Sequence, residues 1–194
     1  MVEAIGKPVN LVALSNGGPP AILAALLAPD LVKTLVLYEP NLPDLLFDGT
    51  EEEVAAVEAF FAGMDDVGAA VEAGDDAEAA RALVEAIYAL PEGGFETLDP
   101  VQKTMVLDNA HTFDLLWNGP DAIPINCEDP SGIKAPTLVV NGGDTLAAWR
   151  IEAEVIAGCI PGATRAEIVG VGHNGILAAK DEFLGLTLQF VDTH

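Results

Sequence analysis

The sequence predicts an α/β fold with a parallel sheet of at least four strands and a helical insertion. Near both ends of the 194-residue chain, short apolar segments alternate with helical patterns, which is the order of elements that builds a parallel sheet. An acid-rich segment with helical patterning separates these two regions. Hydrophobic residues make up 51% of the chain, enough for a buried core at this length.

The first region, residues 1–42, has the pattern of a strand–helix–strand unit. We expect a strand at Val9–Leu14, a helix at Pro20–Ala28 and a second strand at Lys33–Tyr38. Two strands joined by a helix in this way lie parallel. Their nearly continuous apolar character is typical of strands that are covered on both faces.

The second region, residues 43–122, is predicted to be a helical insertion. It holds 19 of the 31 acidic residues, and its basic residues are Arg81 and Lys103. The pairs Thr50/Glu53 and Asp75/Glu78 have capping-box spacing, and Asp99 followed by Pro100 predicts a further helix that reaches about Trp117. The acidic residues are then mainly the solvated faces of amphipathic helices.

The third region, residues 123–194, again alternates strands and helices. The predicted elements are a strand at Pro136–Val140, a helix at Ile151–Ile160, a strand at Ala166–Val169 and a helix at Asp181–Val191. Residues 1–42 and 123–194 together are therefore expected to form the core domain.

Charge and composition exclude several classes of function. The formal net charge of −23 is incompatible with the basic footprint that nucleic acids or anionic membrane surfaces require. The sequence has no signal-peptide pattern and no apolar run of about 20 residues, so we expect a cytoplasmic protein. Cys127 and Cys159 lack metal-ligand spacing and are expected to be reduced thiols, and no metal or organic cofactor is predicted.

Ser15 lies between a predicted strand and a predicted helix, with small residues two positions before it and two after it. A nucleophile on a sharp strand-to-helix turn needs such small neighbours. The start of the helix supplies positive partial charge, and the backbone N–H of Asn16 is placed to bind an oxyanion. The alternative without catalysis is that Ser15 only caps the helix.

Two further residues complete a candidate triad. Asp144 follows the third predicted strand, and His173 lies in a glycine-rich loop after the fourth, where we expect an exposed imidazole. The chain order Ser15, Asp144, His173 is that of α/β-hydrolase triads. Glu39 also follows a strand and is a second candidate for the acid.

These segments resemble the α/β-hydrolase superfamily over about half of the chain. Residues 6–40 resemble its nucleophile-elbow segment, and residues 133–191 resemble the half that carries the acid and the histidine. The resemblance implies a serine hydrolase in which Ser15 is the nucleophile, Asp144 the acid and His173 the base. Asn16 then supplies part of the oxyanion hole, and residues 43–122 occupy the place of a helical cap.

Two departures from the family accompany the resemblance. The first glycine of the elbow motif is Ala13, which is also small. The strands that usually precede the elbow strand, with the loop that gives the second oxyanion donor, are not recognisable. Val9–Leu14 is therefore expected to be an exposed edge, covered in a homodimer or by another chain.

The predicted function is hydrolysis of a carboxylic ester, thioester or lactone through an acyl-enzyme. The substrate is expected to be a small acyl compound, and His111, Phe113 and Trp117 on the insertion are candidates for binding it, although helix packing is the favoured explanation for them. The alternative function is a catalytically impaired hydrolase that serves as a binding or assembly module.

Overall fold

A computed structural model describes residues 2–119 and 124–194, which divide into two compact units. The first unit contains the described residues up to Val57 and from 124 onward, and the second contains those from Glu58 to 119. The predicted insertion begins at residue 43, whereas the second unit begins at 58. The difference arises because Leu46, Ala56 and Val57 pack against Ile151 within the first unit. The predicted boundary at residues 122 and 123 lies outside the described residues.

A four-stranded parallel sheet organises the first unit, which confirms the predicted fold class. The strands are β1 Val9–Leu14, β2 Val32–Tyr38, β3 Thr137–Gly142 and β4 Thr164–Ile168, and they lie side by side in chain order. Leu14 pairs with Tyr38, Tyr38 with Val140, and Gly142 with Ile168. The carboxyl ends of all four strands therefore meet at one edge of the sheet.

Helices cover both faces of this sheet. The helices of the first unit are α1 Val2–Ile5, α2 Gly18–Leu27, α3 Asp44–Phe47, the start of α4 Glu51–Ala62, α9 Ala147–Cys159, α10 Gly175–Ala178 and α11 Lys180–Thr193. Leu35 and Leu37 of β2 pack with α2 and α9 on one face. Val36 and Tyr38 pack with Phe190 of α11 on the other. This alternation is the period of two expected for a strand that is buried on both faces.

The second unit is helical, as its sequence pattern predicts. After the end of α4 it contains α5 Asp65–Glu72, α6 Asp76–Ile87, α7 Pro100–Asp108 and α8 Phe113–Asn118. The helix predicted from residue 99 to about 117 is divided in two at Asn109. The Asn109 side chain donates to the Met105 carbonyl, and such local bonds compete with helix continuation.

The capping predictions agree with the hydrogen bonds of these helices. At α4, the Thr50 and Glu53 side chains each accept the other residue's backbone N–H, which is a complete capping box. Asp75 caps α6 by accepting from the Glu78 N–H, and Asp99 caps α7 by accepting from the Val101 N–H. Each bond satisfies a backbone donor that has no partner within its helix.

The cysteine prediction is wrong, because Cys127 and Cys159 form a disulfide bond. The two cysteines are 32 residues apart in sequence. Their pairing could not be predicted, because it depends on where the segment before β3 meets the end of α9. No helix in the described part of the chain is long and apolar enough to span a membrane.

Candidate active site

Ser15 occupies a strained turn between β1 and α2. Its φ is +50°, in the left-handed region, which costs a residue with a side chain about 1–2 kcal/mol. A Cβ added at Gly17 would lie 3.7 Å from the Ala13 Cβ, so the two small residues of the motif face each other across the turn. Strand, sharp turn and helix in this order are the geometry of a nucleophile elbow.

His173 is held by a buried carboxylate that belongs to Glu39. The His173 Nδ1 lies 2.7 Å from Glu39 Oε2, and the two residues are 4% and 0% exposed. When the carboxylate accepts this bond, Nδ1 carries the proton, and the ring then has its lone pair on Nε2. Nε2 is the atom that a general base uses when its other nitrogen is oriented by an acid.

Two further donors satisfy the Glu39 carboxylate. The Gly142 N–H donates to Oε1 at 2.7 Å, and the Thr145 hydroxyl donates to Oε2 at 3.0 Å. Both come from the end of β3 and the residues that follow it. A buried carboxylate needs such partners, since each unmatched lone pair would add to the cost of removing the charge from water.

The predicted pairing of Asp144 with His173 is corrected, because the partner of His173 Nδ1 is Glu39. The side chain of Asp144 is exposed, while its backbone N–H donates to the Val171 carbonyl at 2.9 Å. This bond ties the chain after β3 to the loop that carries His173. Both Glu39 and Asp144 follow strands that end at the same edge of the sheet, and the fold selects the first of them for the hydrogen bond to His173.

The imidazole is packed from several sides, contrary to the expectation of an exposed ring. The indole of Trp149 stacks on His173 with ring centroids 4.3 Å apart and an interplanar angle of 14°. The Tyr38 hydroxyl donates to the Gly172 carbonyl at 2.6 Å, and burial raises the pKa of that hydroxyl. A Cβ at Gly175 would collide with the same hydroxyl, so this close approach requires glycine. The histidine loop is thus fixed before any substrate binds.

The remaining predicted site residues lie as follows. Asn16 follows Ser15 in the turn and is exposed. In the second unit, Phe113 is 5% exposed within the hydrophobic core and stacks against Trp117, while His111 is exposed and its Nδ1 lies 3.0 Å from the Asp108 carbonyl. A substrate-binding role for these three residues of the second unit stays a prediction. Within the described residues, no group of three potential metal ligands is clustered.

Glu39 is the second candidate for the acid in the sequence, and the residues that support it are not predicted there. Its signal was present, because a glutamate directly after a fully apolar strand reaches the same sheet edge as Ser15 and His173. No such signal marks the supporting groups, which are Gly142, Thr145, Trp149 and Tyr38. For Gly142, Thr145 and Tyr38, the supporting hydrogen bond joins residues more than 100 positions apart in the sequence.

Comparison with known proteins identifies the fold. No protein-family model and no curated protein matches the chain by sequence. Solved structures match it over nearly its whole length. A meta-cleavage product hydrolase from Pseudomonas fluorescens IP01 (CumD) has 18% identity and a TM-score of 0.68, with 99% of this chain and 68% of that chain covered.

Two other structures give the same result. The enol-lactonase from Burkholderia xenovorans LB400 has 19% identity and a TM-score of 0.67, and the match covers 98% of this chain and 68% of that one. The alpha/beta hydrolase MGS-M2, from a Medee basin deep-sea metagenome library, has 16% identity and a TM-score of 0.69, with 97% and 70% covered. The chain therefore shares the fold of these hydrolases, with a parallel sheet and a sharp turn at Ser15.

Proposed function

We propose that the protein is a serine hydrolase of carboxylic esters, thioesters or lactones, with Ser15 as nucleophile, His173 as base and Glu39 as the acid that orients it. The observation that carries the proposal is the 2.7 Å bond between His173 Nδ1 and the buried Glu39 carboxylate, at the sheet edge where Ser15 forms its strained turn. An acid–histidine pair and a serine elbow on one edge are the parts that acyl transfer requires.

In the first half of the reaction, the Ser15 Oγ attacks the carbonyl carbon and its proton passes to His173 Nε2. The imidazolium that forms is stabilised by the Glu39 carboxylate. Negative charge develops on the carbonyl oxygen, where the backbone N–H of Asn16 can stabilise it. The tetrahedral intermediate collapses, the alcohol or thiol leaves with the proton from His173, and the acyl group stays on Ser15.

In the second half, His173 takes a proton from water while the water oxygen attacks the acyl carbon. Collapse of the second intermediate breaks the bond to Ser15 Oγ, which recovers its proton from His173, and the carboxylic acid leaves. For a lactone, the leaving hydroxyl remains attached to the product. The sequence uses Ser15, His173, Glu39 and water and returns each of them unchanged.

Two features support ester-type substrates within this general scheme. The nucleophile is an alcohol, which forms acyl esters. A neighbour in structure is named an enol-lactonase, and another a meta-cleavage product hydrolase. Both names describe hydrolysis, and the first includes a cyclic ester among the bonds that this fold cleaves.

The test is hydrolysis of p-nitrophenyl acetate, butyrate and octanoate by the wild type and by Ser15→Ala. We expect the variant to lose at least about 1,000-fold in kcat, because no other side chain replaces the nucleophile. A fluorophosphonate should label the wild type at Ser15 and leave the variant unlabelled. The ranking of the three esters then reports the preferred acyl length.

Equal hydrolysis by the wild type and Ser15→Ala, together with no labelling, would contradict the proposal. That result would favour the alternative of a catalytically impaired hydrolase that acts as a binding module. Circular dichroism of the variant provides the folding control, since the loss of one hydroxyl at a partly buried residue should leave the spectrum unchanged.

A further inference from the structure

The turn that follows β2, residues 39–42, contacts both halves of the candidate active site. Glu39 at its start binds His173. A Cβ on Gly18, the first residue of α2, would collide with Pro40, so the turn lies directly against the start of the elbow helix. Asn41 makes two hydrogen bonds to the elbow, and the Leu42 N–H donates to Glu152 at 3.1 Å.

The first Asn41 bond holds the peptide unit between Ser15 and Asn16, whose carbonyl also accepts from the Gly18 N–H. The Asn41 N–H donates to the Ser15 carbonyl at 3.0 Å. The peptide unit is planar and trans, so its C=O and N–H point in opposite directions. Holding the Ser15 carbonyl therefore also sets the direction of the Asn16 N–H, which is the group expected to bind the oxyanion.

The second bond holds the side chain of Asn16. The Asn41 Nδ2 donates to the Asn16 Oδ1 at 2.6 Å. With one bond to Ser15 and one to Asn16, Asn41 restrains both residues that flank the peptide. This restraint matters because the φ of +50° at Ser15 is an unfavourable conformation that persists only where its surroundings hold it.

We propose that Asn41 is a positioning residue for the oxyanion site: it holds the Ser15–Asn16 peptide so that the Asn16 N–H points at the developing charge. The inference rests on the proposed function. Asn41 does not touch the substrate carbonyl in this role, and it acts through the peptide that it restrains. A donor that is aligned before the reaction stabilises the transition state more than the ground state.

The contribution of the Asn41–Asn16 side-chain bond can be tested without removing the oxyanion donor, which is the backbone N–H of Asn16. Asn16→Ala and Asn41→Ala each remove the bond between the two side chains, and both keep the backbone N–H of residue 16. We expect each variant to lose about 10-fold in kcat with KM within about 2-fold, a fraction of the 10²–10³ lost when a whole donor is removed. The double variant should lose the same 10-fold, because both changes break one interaction.

A trifluoromethyl ketone provides the second measurement. Ser15 adds to its carbonyl carbon and the oxygen becomes an oxyanion, so its inhibition constant reports the oxyanion site without turnover. We expect this constant to rise about 10-fold in both single variants, in parallel with the fall in kcat/KM. The matched control is Asn10→Ala, which removes the bond between Thr34 and Asn10 at the other end of β1 and should leave kcat and inhibition unchanged.

Three outcomes would overturn the inference. The first is an unchanged kcat in Asn16→Ala, whose exposed side chain can be removed without unfolding the protein. The second is a loss of about 100-fold in the double variant, as expected if the two single losses multiply. The third is a loss of kcat in Asn10→Ala as large as in Asn41→Ala. A wild type without Ser15-dependent hydrolysis would contradict the proposed function itself, and the inference would fall with it. The two failures are distinguished by the Ser15→Ala comparison, which is made first.

Discussion

Glu39 is a fully buried carboxylate whose every observed partner is a donor. It accepts from the imidazole of His173, the N–H of Gly142 and the hydroxyl of Thr145. Its own φ of +39° turns the chain at the end of β2, and this turn places the side chain over the end of β3. The pairing of β2 with β3 thus builds the carboxylate's surroundings from a strand more than 100 residues away in sequence.

The choice between the two acids is testable by a pair of isosteric variants. Glu39→Gln replaces an oxygen that accepts with an amide that donates, so the side chain can no longer match both His173 and Gly142. We expect kcat for p-nitrophenyl butyrate to fall at least about 100-fold, because the imidazole loses its orientation and the stabilisation of its charged form. Asp144→Asn, at an exposed side chain, should stay within about 3-fold.

The opposite ranking of these two variants would return the role of acid to Asp144. Both variants should first be compared by thermal unfolding, so that a loss of activity in Glu39→Gln is measured on folded protein. Near-normal kcat in Glu39→Gln would show that the bond to His173 has no part in the reaction.

Among the elements, helix α9 supports the candidate site through three side chains. Trp149 stacks on His173, Ile151 packs against α3 and α4, and Glu152 accepts from the Leu42 N–H in the turn after β2. Glu152 is 2% exposed, and burial raises its pKa to about 8, with the hydrogen bond from Leu42 acting in the opposite direction and the charges of Glu39 and Asp44 adding to the increase. The helix therefore carries a carboxyl group that is neutral over much of the physiological pH range.

This pKa predicts how stability depends on pH. From about pH 4.5 to 8 the unfolded chain loses the Glu152 proton while the folded chain keeps it, so folding stability decreases as pH rises. Above 8 both states are ionised and the decrease stops. Glu152→Gln keeps an acceptor for Leu42 and has no charge. Its free energy of unfolding should therefore increase relative to that of the wild type as pH rises across this window, by at most about 1.4 kcal/mol per pH unit.

Urea unfolding at pH 5, 6, 7 and 8 measures this difference. Glu154→Gln is the control on the same helix, because Glu154 is partly exposed and its ion pairs with Arg150 and Arg165 lie at the surface, where such pairs contribute little. A difference between Glu152→Gln and the wild type that stays constant from pH 5 to 8 would contradict the prediction.

At the scale of the whole molecule, the disulfide joins the segment before β3 to the end of α9. It closes a loop of 32 residues that includes the whole of β3 and α9. Disulfides persist in oxidising compartments, so this bond argues against the cytoplasmic location expected from the sequence.

The bond also predicts a reductant-sensitive stability. In the chain-entropy model a loop of this length contributes about 3.7 kcal/mol, which corresponds to about 10 °C in Tm for a chain of this size. We expect Tm to fall by that amount when dithiothreitol is added to the wild type. The double variant Cys127→Ser, Cys159→Ser should have the Tm of the reduced wild type, whether or not reductant is present. A wild-type Tm that does not change when reductant is added would contradict the pairing.

The edge of the sheet is a second feature of the whole molecule. In the described structure β1 pairs only with β2, and Val12 on β1 is 48% exposed. Such an edge can pair with another chain. The homodimer expected from the sequence stays a prediction, and sedimentation at several concentrations is the measurement that addresses it.

The sequence alone was sufficient for the four strands, their order and the helices that begin at capping residues. Periodicity and capping residues placed all four strands within about two residues of their observed starts and ends, and the capping residues Thr50, Asp75 and Asp99 begin helices as predicted. These features depend on residues close together in the chain. For the same reason, Ser15 could be recognised from its immediate neighbours, since the elbow is a local turn.

Only the tertiary structure decided which groups meet at the edge of the sheet. Glu39 and Asp144 both follow strands that end there, and nothing local distinguishes them; the distinction arises from the paths of the two turns across paired strands. The same holds for Trp149 against His173, for Asn41 against the elbow and for the Cys127–Cys159 bond. Each is a contact between segments far apart in the sequence, and such contacts are specified by the packing of the whole chain and by no single segment of it.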